Sequence, residues 1–206
     1  MQILDRVFAS AYDRVMAAPE ARGLKTWRAE LIGPLRGRVL EIGAGTGLSL
    51  PHYQDDVEVV ALEPDPFMLA QLKARADEVR PSGSTTVVQG VAEELPFEKD
   101  SFDAVVLGLV LCTVADPPAA LAEVRRVLRP GGKAVFIEHV RARTQGTYLL
   151  QRVIEPVWTI CGRGCRLTRD TESTLREAGF EFETLDHSDL PGGIGFLKAA
   201  IHGVAR

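Results

Sequence analysis

The sequence predicts an α/β protein built on a doubly wound, mostly parallel sheet. Two observations carry that prediction. Apolar runs of strand length alternate with helical stretches along most of the chain, the pattern of a sheet covered by helices on both faces. The first such run, Val39, Leu40 and Ile42, also leads straight into glycines at alternate positions, Gly43, Gly45 and Gly47. Glycine accepts positive φ and lets a second molecule approach the backbone. A strand that ends in such a loop and opens into a helix forms the floor of a nucleotide-type site.

The elements follow in order. Ile3, Leu4, Val7, Phe8, Ala11, Tyr12 and Val15 recur at spacings of three and four, one apolar stripe on a helix. Its polar face mixes Asp5, Arg6, Asp13 and Arg14, which favours a packed helix or a lid, with a weak membrane-surface contact as the other reading. A second helix covers Ala21 to Leu31, before the Gly33-Pro34 break. Strands are expected at Val39–Ile42, Val57–Leu62, Thr85–Gln89, Phe102–Leu107 and Lys133–Glu138. Between them lie helices over Phe67–Val79 and from Asp116, a cap followed by Pro117, to Leu128. Arg129-Pro130-Gly131-Gly132 stops that last helix. Helices over Gly146–Ile160 and Thr171–Ala178, then strands over Phe180–Leu185 and Phe196–Val204, complete seven strands.

The length of 206 residues, 46% hydrophobic and 25% charged, fits one domain. Within it, residues 1–35 read as a helical lid, 36–140 as the ligand-binding core and 141–206 as acceptor-side helices and last strands. The net charge of −4 gives no reason to expect nucleic acid. No apolar run is long enough for a transmembrane segment, and Asp5 and Arg6 fall where a signal peptide needs its apolar region. Cys112, Cys161 and Cys165 form no Cys-x-x-Cys pair, so the expectation is a reduced, cytoplasmic protein without a metal site.

In open parallel sheets, ligands bind beyond the carboxyl ends of the strands. Glu41, two residues before the first glycine, is awkward for a pyrophosphate and suits a ligand with a positive group. Glu63, after the second strand, is placed to accept both ribose hydroxyls, while Asp65 reads as a helix cap. Gly90 to Phe97 follows the third strand, with Ala92 placed toward an adenine edge. Leu109-Val110-Leu111-Cys112 forms an apolar wall, in which Cys112 reads as a small buried residue. His139, at the end of the fifth strand, fits two readings, a general base or a lining residue.

Taken in order, Glu41-Ile-Gly-Ala-Gly-Thr-Gly47, Glu63-Pro-Asp, Leu95-Pro-Phe, Ser101-Phe-Asp103 and Leu128-Arg-Pro-Gly-Gly132 resemble the class I S-adenosylmethionine-dependent methyltransferases. The resemblance covers roughly residues 36–140. It implies a Rossmann-like seven-stranded sheet with the last strand antiparallel, and S-adenosyl-L-methionine as cofactor. It assigns Glu41, Gly43 and Gly45 to the methionine end and Glu63 to the ribose. Ala92 and Glu93 frame the adenine, and Tyr12, Ala44, Gly47, Pro64, Met68 and Leu109 complete the implied cofactor-binding set. Many relatives carry an acid where this chain has Val91, which leaves adenine recognition to Glu93, backbone or water.

A closer resemblance rests on Leu109-Val-Leu-Cys-Thr-Val114, Glu138-His-Val140, Gln151 to Trp158 and Gly164-Cys-x-Leu-Thr-Arg169. These are similar to the methyltransferase-like 7 group, the animal alkyl thiol S-methyltransferases and their bacterial relatives. Its animal members carry an N-terminal membrane anchor; the expectation here is a soluble version. The implied acceptor is a small-molecule thiol, with His139 as base or orienter and Arg163, Arg166 and Arg169 as sources of positive field. Two alternatives stay open: an N-, O- or C-methyltransferase of a lipid, quinone or natural product, and a cofactor-binding protein without methyl transfer.

Overall fold

The computed structural model describes residues 2–206, with the side chains of residues 2–4 left undescribed; Ile3 and Leu4 of the expected stripe therefore lie outside the described residues. Seven strands form one sheet: β1 (Arg38–Ile42), β2 (Glu58–Glu63), β3 (Thr85–Gln89), β4 (Phe102–Gly108), β5 (Leu128–His139), β6 (Phe182–Asp189) and β7 (Ala199–Ala205). Their order is β3-β2-β1-β4-β5-β7-β6. The first five pair in parallel, and β7 runs antiparallel between β5 and β6. The order reverses between β1 and β4, so the chain leaves those neighbours in opposite directions and a crevice opens at their carboxyl ends.

Period-two burial builds the core on both faces. Leu40 and Ile42 pack with Leu121 and Val124 of α4 (Pro117–Val127). Val39 packs with Leu69 and Leu72 of α3 (Pro66–Val79). Both helices start as the residues dictate. Asp65 accepts from the Phe67 and Met68 N–H groups, Asp116 accepts from Ala119 N–H, and a proline follows each cap.

Several boundaries differ from expectation. The first helix, α1 (Gln2–Pro19), runs into a wide turn at Glu20–Leu24, where Gly23 at φ +136° breaks the helix. The next helix, α2, is therefore Lys25–Ile32 rather than Ala21–Leu31. β5 starts at Leu128, and Arg129–Gly132 bulge out opposite Asp103 rather than only ending a helix. β6 starts at Phe182, because Phe180 N–H turns back to Leu175 behind Gly179. β7 starts at Ala199, because Gly195–Leu197 form a short helical turn.

The α1 stripe is also rotated. Val7 and Val15 are exposed, and Ala9, Tyr12 and Met16 face inward. Polar anchors cause the rotation. Asp13 turns toward Thr46 and Arg75, and Gln71 donates to the Ala9 carbonyl at 2.8 Å. Two further helices, α5 (Gln145–Cys161) and α6 (Thr171–Glu177), lie between β5 and β6 in the chain. No described helix is long and apolar enough to cross a membrane.

Candidate active site

The three glycines divide their work. Gly43, at φ +64°, would place an added Cβ 2.5 Å from Val110 Cγ2, and Gly47, at φ +86°, 2.9 Å from Leu72 Cδ1. Both pack against protein. Gly45, at φ +58°, would meet nothing nearer than 3.8 Å, and what it meets are Met68 Sδ and Tyr12 Cε1. The middle glycine therefore faces the crevice. Ala44 N–H donates to the Leu62 carbonyl and holds the loop against β2.

Glu63 is buried beside this loop. One oxygen accepts from Gly45 N–H at 2.8 Å and the other from Asp65 N–H at 2.9 Å. Burial raises its pKa against the pull of these donors. A carboxylate has about four acceptor positions, so capacity for two hydroxyl donors is left. Pro64 is exposed, and its carbonyl accepts from Gln89.

Helix α1 is tied to the glycine loop. Thr46 donates to Asp13 at 2.6 Å, and Arg75 pairs with Asp13 at 2.5 Å. Arg163, in the loop after α5, pairs with Asp5 of α1 and lies 3.5 Å from Asp65. The Tyr12 hydroxyl is pushed up to about 12, first by burial, with Glu63 adding to the rise.

Sequence reasoning missed Arg28. It is buried on α2, with Nη1 donating to Ser49 Oγ at 2.8 Å and Nε pairing with Glu20 at 3.0 Å. A Cβ on Gly108 would lie 3.3 Å from its Nη1. Its signal was legible: Leu24, Arg28 and Ile32 share one helix stripe, and an arginine there has to be buried. Glu41 is buried nearby and accepts from Tyr53 Oη at 3.0 Å. Burial raises its pKa, while Ser49, Arg28 and Tyr53 lower it.

A second missed residue is Glu138. It is fully buried and accepts three backbone N–H groups, from Val110, Leu111 and Cys112, at 2.9, 2.8 and 3.2 Å. Burial nonetheless pushes its carboxyl up to about 8. This clamp shapes the loop after β4, where Leu109 holds φ +61°, a strained backbone for a leucine. An acid directly after the apolar run Ala134–Ile137, still within the strand, was its signal.

The remaining expected residues fall at distinct places. Ala92 is buried at the β3 end. Glu93 Oε1 accepts from Ala115 and Asp116 N–H, so it also secures the start of α4. Arg169 directs both terminal nitrogens to the carbonyls of Leu111 and Val114. It braces the loop instead of offering an open charge. His139 is 2% exposed; its Nε2 lies 3.4 Å from the Phe196 carbonyl, and its Nδ1 has no partner among the described residues. Arg166 N–H donates to the Cys112 carbonyl at 2.8 Å, which brings Cys165 beside Cys112. The Cys165 thiol is drawn down to about 5, first by Cys112, then by His139 and Trp158, while burial opposes the shift.

Comparison with known proteins fits this geometry. The family described as "Methyltransferase domain" matches residues 40–136. Human thiol S-methyltransferase TMT1A is 33% identical over 201 residues, covering 96% of this chain and 82% of that protein. The chain belongs to the S-adenosylmethionine-dependent methyltransferases. Human thiol S-methyltransferase TMT1B is 36% identical over 188 residues, covering 86% of this methyltransferase and 77% of that protein. In fold, it is similar to a SAM-dependent methyltransferase of Thermotoga maritima, titled a possible histamine N-methyltransferase. That likeness has a TM-score of 0.72 at 22% identity and covers all of both chains. S-Adenosylmethionine is the cofactor, and the open face of Gly45 beside the Glu63 carboxylate is a cradle that fits it.

Proposed function

We propose that this methyltransferase methylates a small-molecule thiol at sulfur. One observation carries the reading. The likeness to the thiol S-methyltransferases spans 96% of the chain, so it extends past the cofactor core into the acceptor side. When bound, S-adenosylmethionine supplies a sulfonium methyl group for in-line displacement.

The chain's own residues bind, orient and exclude water. Glu63 takes the ribose hydroxyls, with Pro64 beside it. Gly43, Ala44, Gly45 and Gly47 give the backbone floor. Arg28 and Glu41 are charged oppositely and suit the carboxylate and ammonium of an amino-acid end. Ala92 and Glu93 take the adenine end, and Tyr12, Met68 and Leu109 form the walls. On the acceptor side, Arg169 positions the Leu109–Val114 loop. His139, beside the Cys165 thiol at the end of β5, is the residue assigned to the acceptor's proton. The three free cysteines suit a reducing, cytoplasmic setting.

The test is incubation with S-adenosylmethionine and a panel of small thiols, amines and phenols, following S-adenosylhomocysteine. Thiols are methylated, with a rate that rises toward the free thiol pKa of ~8.5. Methylation of amines or phenols with no thiol turned over overturns the reading.

A further inference from the structure

Helix α5 is amphipathic in the wrong sense for a globular protein. Its inner face is largely polar. Gln151 is buried between Ala142 N–H, at 2.7 Å, and the Phe196 carbonyl, at 2.9 Å. Glu155 accepts from Thr168 N–H at 2.7 Å, and Trp158 stacks edgewise on Phe196. Its outer face is apolar. Leu149, Val153, Val157 and Ile160 recur at spacings of four, four and three, hence on one face. They are 51%, 76%, 66% and 76% exposed, and Leu150 beside them is 46% exposed. Burial normally orients such a stripe inward, and an exposed apolar patch rimmed by polar residues marks an interaction surface.

The charge around this face selects the occupant. Residues 141–169 hold six arginines and one acid, Glu155, in a chain whose net charge is −4. Arg143, Arg152 and Arg166 are exposed and form no ion pair among the described residues. A second copy meeting the same face would bring like arginines together. An anionic lipid surface satisfies both properties at once, with the apolar side chains entering the acyl boundary and the arginines at the phosphates.

We propose that the α5 face docks this methyltransferase on anionic membrane surfaces. The loop that follows α5 carries Arg163 and Cys165, so docking sets the acceptor side of the site at the bilayer edge. The inference is independent of which nucleophile is methylated.

Co-sedimentation with phosphatidylcholine vesicles, with and without phosphatidylglycerol, tests it. The wild-type chain partitions onto the anionic vesicles and not onto phosphatidylcholine alone. Leu149→Ser, Val153→Ser and Val157→Ser together reduce the partition coefficient more than tenfold, and Arg143→Glu with Arg152→Glu reduces it about fivefold or more per arginine. Both variants keep wild-type affinity for S-adenosylhomocysteine, which shows that they are folded. No association with anionic vesicles overturns the proposal, as does association unchanged in the triple serine variant. A lipid-free dimer that the serine variant dissociates also overturns it, because the occupant is then a second copy.

Discussion

Glu63→Gln is the sharpest probe of the cofactor site. The native carboxylate accepts two backbone N–H groups, at 2.8 and 2.9 Å, and is 6% exposed. The amide keeps one acceptor oxygen and puts an NH2 group where the second was. One backbone N–H then loses its acceptor, a cost of about 1–3 kcal/mol in stability. On the ligand side, two hydroxyl bonds to a charged acceptor are weakened or lost, at roughly 1.5–3 kcal/mol each. Affinity for S-adenosylhomocysteine should therefore fall by about 10²- to 10⁴-fold, well beyond what the stability change explains. Calorimetric titration measures the first quantity and thermal unfolding the second. Unchanged affinity in a folded variant would refute the placement of the ribose at Glu63.

Four further outcomes follow from the same geometry. Gly43→Ala should destabilise the fold by more than Gly45→Ala, because its Cβ meets Val110 at 2.5 Å while that of Gly45 has 3.8 Å of space; Gly45→Ala should instead act mainly on cofactor affinity, and parallel unfolding and binding measurements separate the two. Asp13→Ala frees both Thr46 and Arg75, and should loosen α1 by about 1–2 kcal/mol, seen as faster proteolysis near Gly23 and weaker cofactor binding. Glu138, raised to about 8 from 4.5, keeps its proton in the folded state over a range where the unfolded chain has lost it. Stability from this group is full below about 4.5 and is lost as pH rises toward 8; Glu138→Gln should flatten that part of the unfolding profile. Cys165, lowered to about 5, should alkylate with iodoacetamide at pH 6 faster than the more exposed Cys161, and Cys112→Ser should slow it, as peptide mass mapping would show.

The class of fold was legible because its signals are local. Glycine spacing, strand-length apolar runs, and caps such as Asp65-Pro66 and Asp116-Pro117 depend on neighbours in sequence, and the structure places them as expected. The ends of β5, β6 and β7 were less legible, because bulges and pairings with distant strands set them. The orientation of α1 was misread for a related reason. The pattern counted Val7 and Val15 as inward, but Asp13, accepting from Thr46 and Arg75 at 33 and 62 positions away, decides which face turns in.

The sequence by itself determined the sheet and the pair of strand-end acids, since each is written in local patterns of apolar, glycine and acidic residues, and it pointed to the cofactor through the family resemblance of its ordered motifs. Only the tertiary structure decided that Arg28 reaches the site, that Glu138 clamps the Leu109–Cys112 loop, and that Arg169 braces that loop through Leu111 and Val114. Those roles depend on where a long side chain ends once burial forces it to find partners. The same holds for the glycine loop. Its spacing announced a ligand, but which of the three glycines is left open to the crevice is fixed by Val110, Leu72 and Tyr12, residues that only folding brings to it.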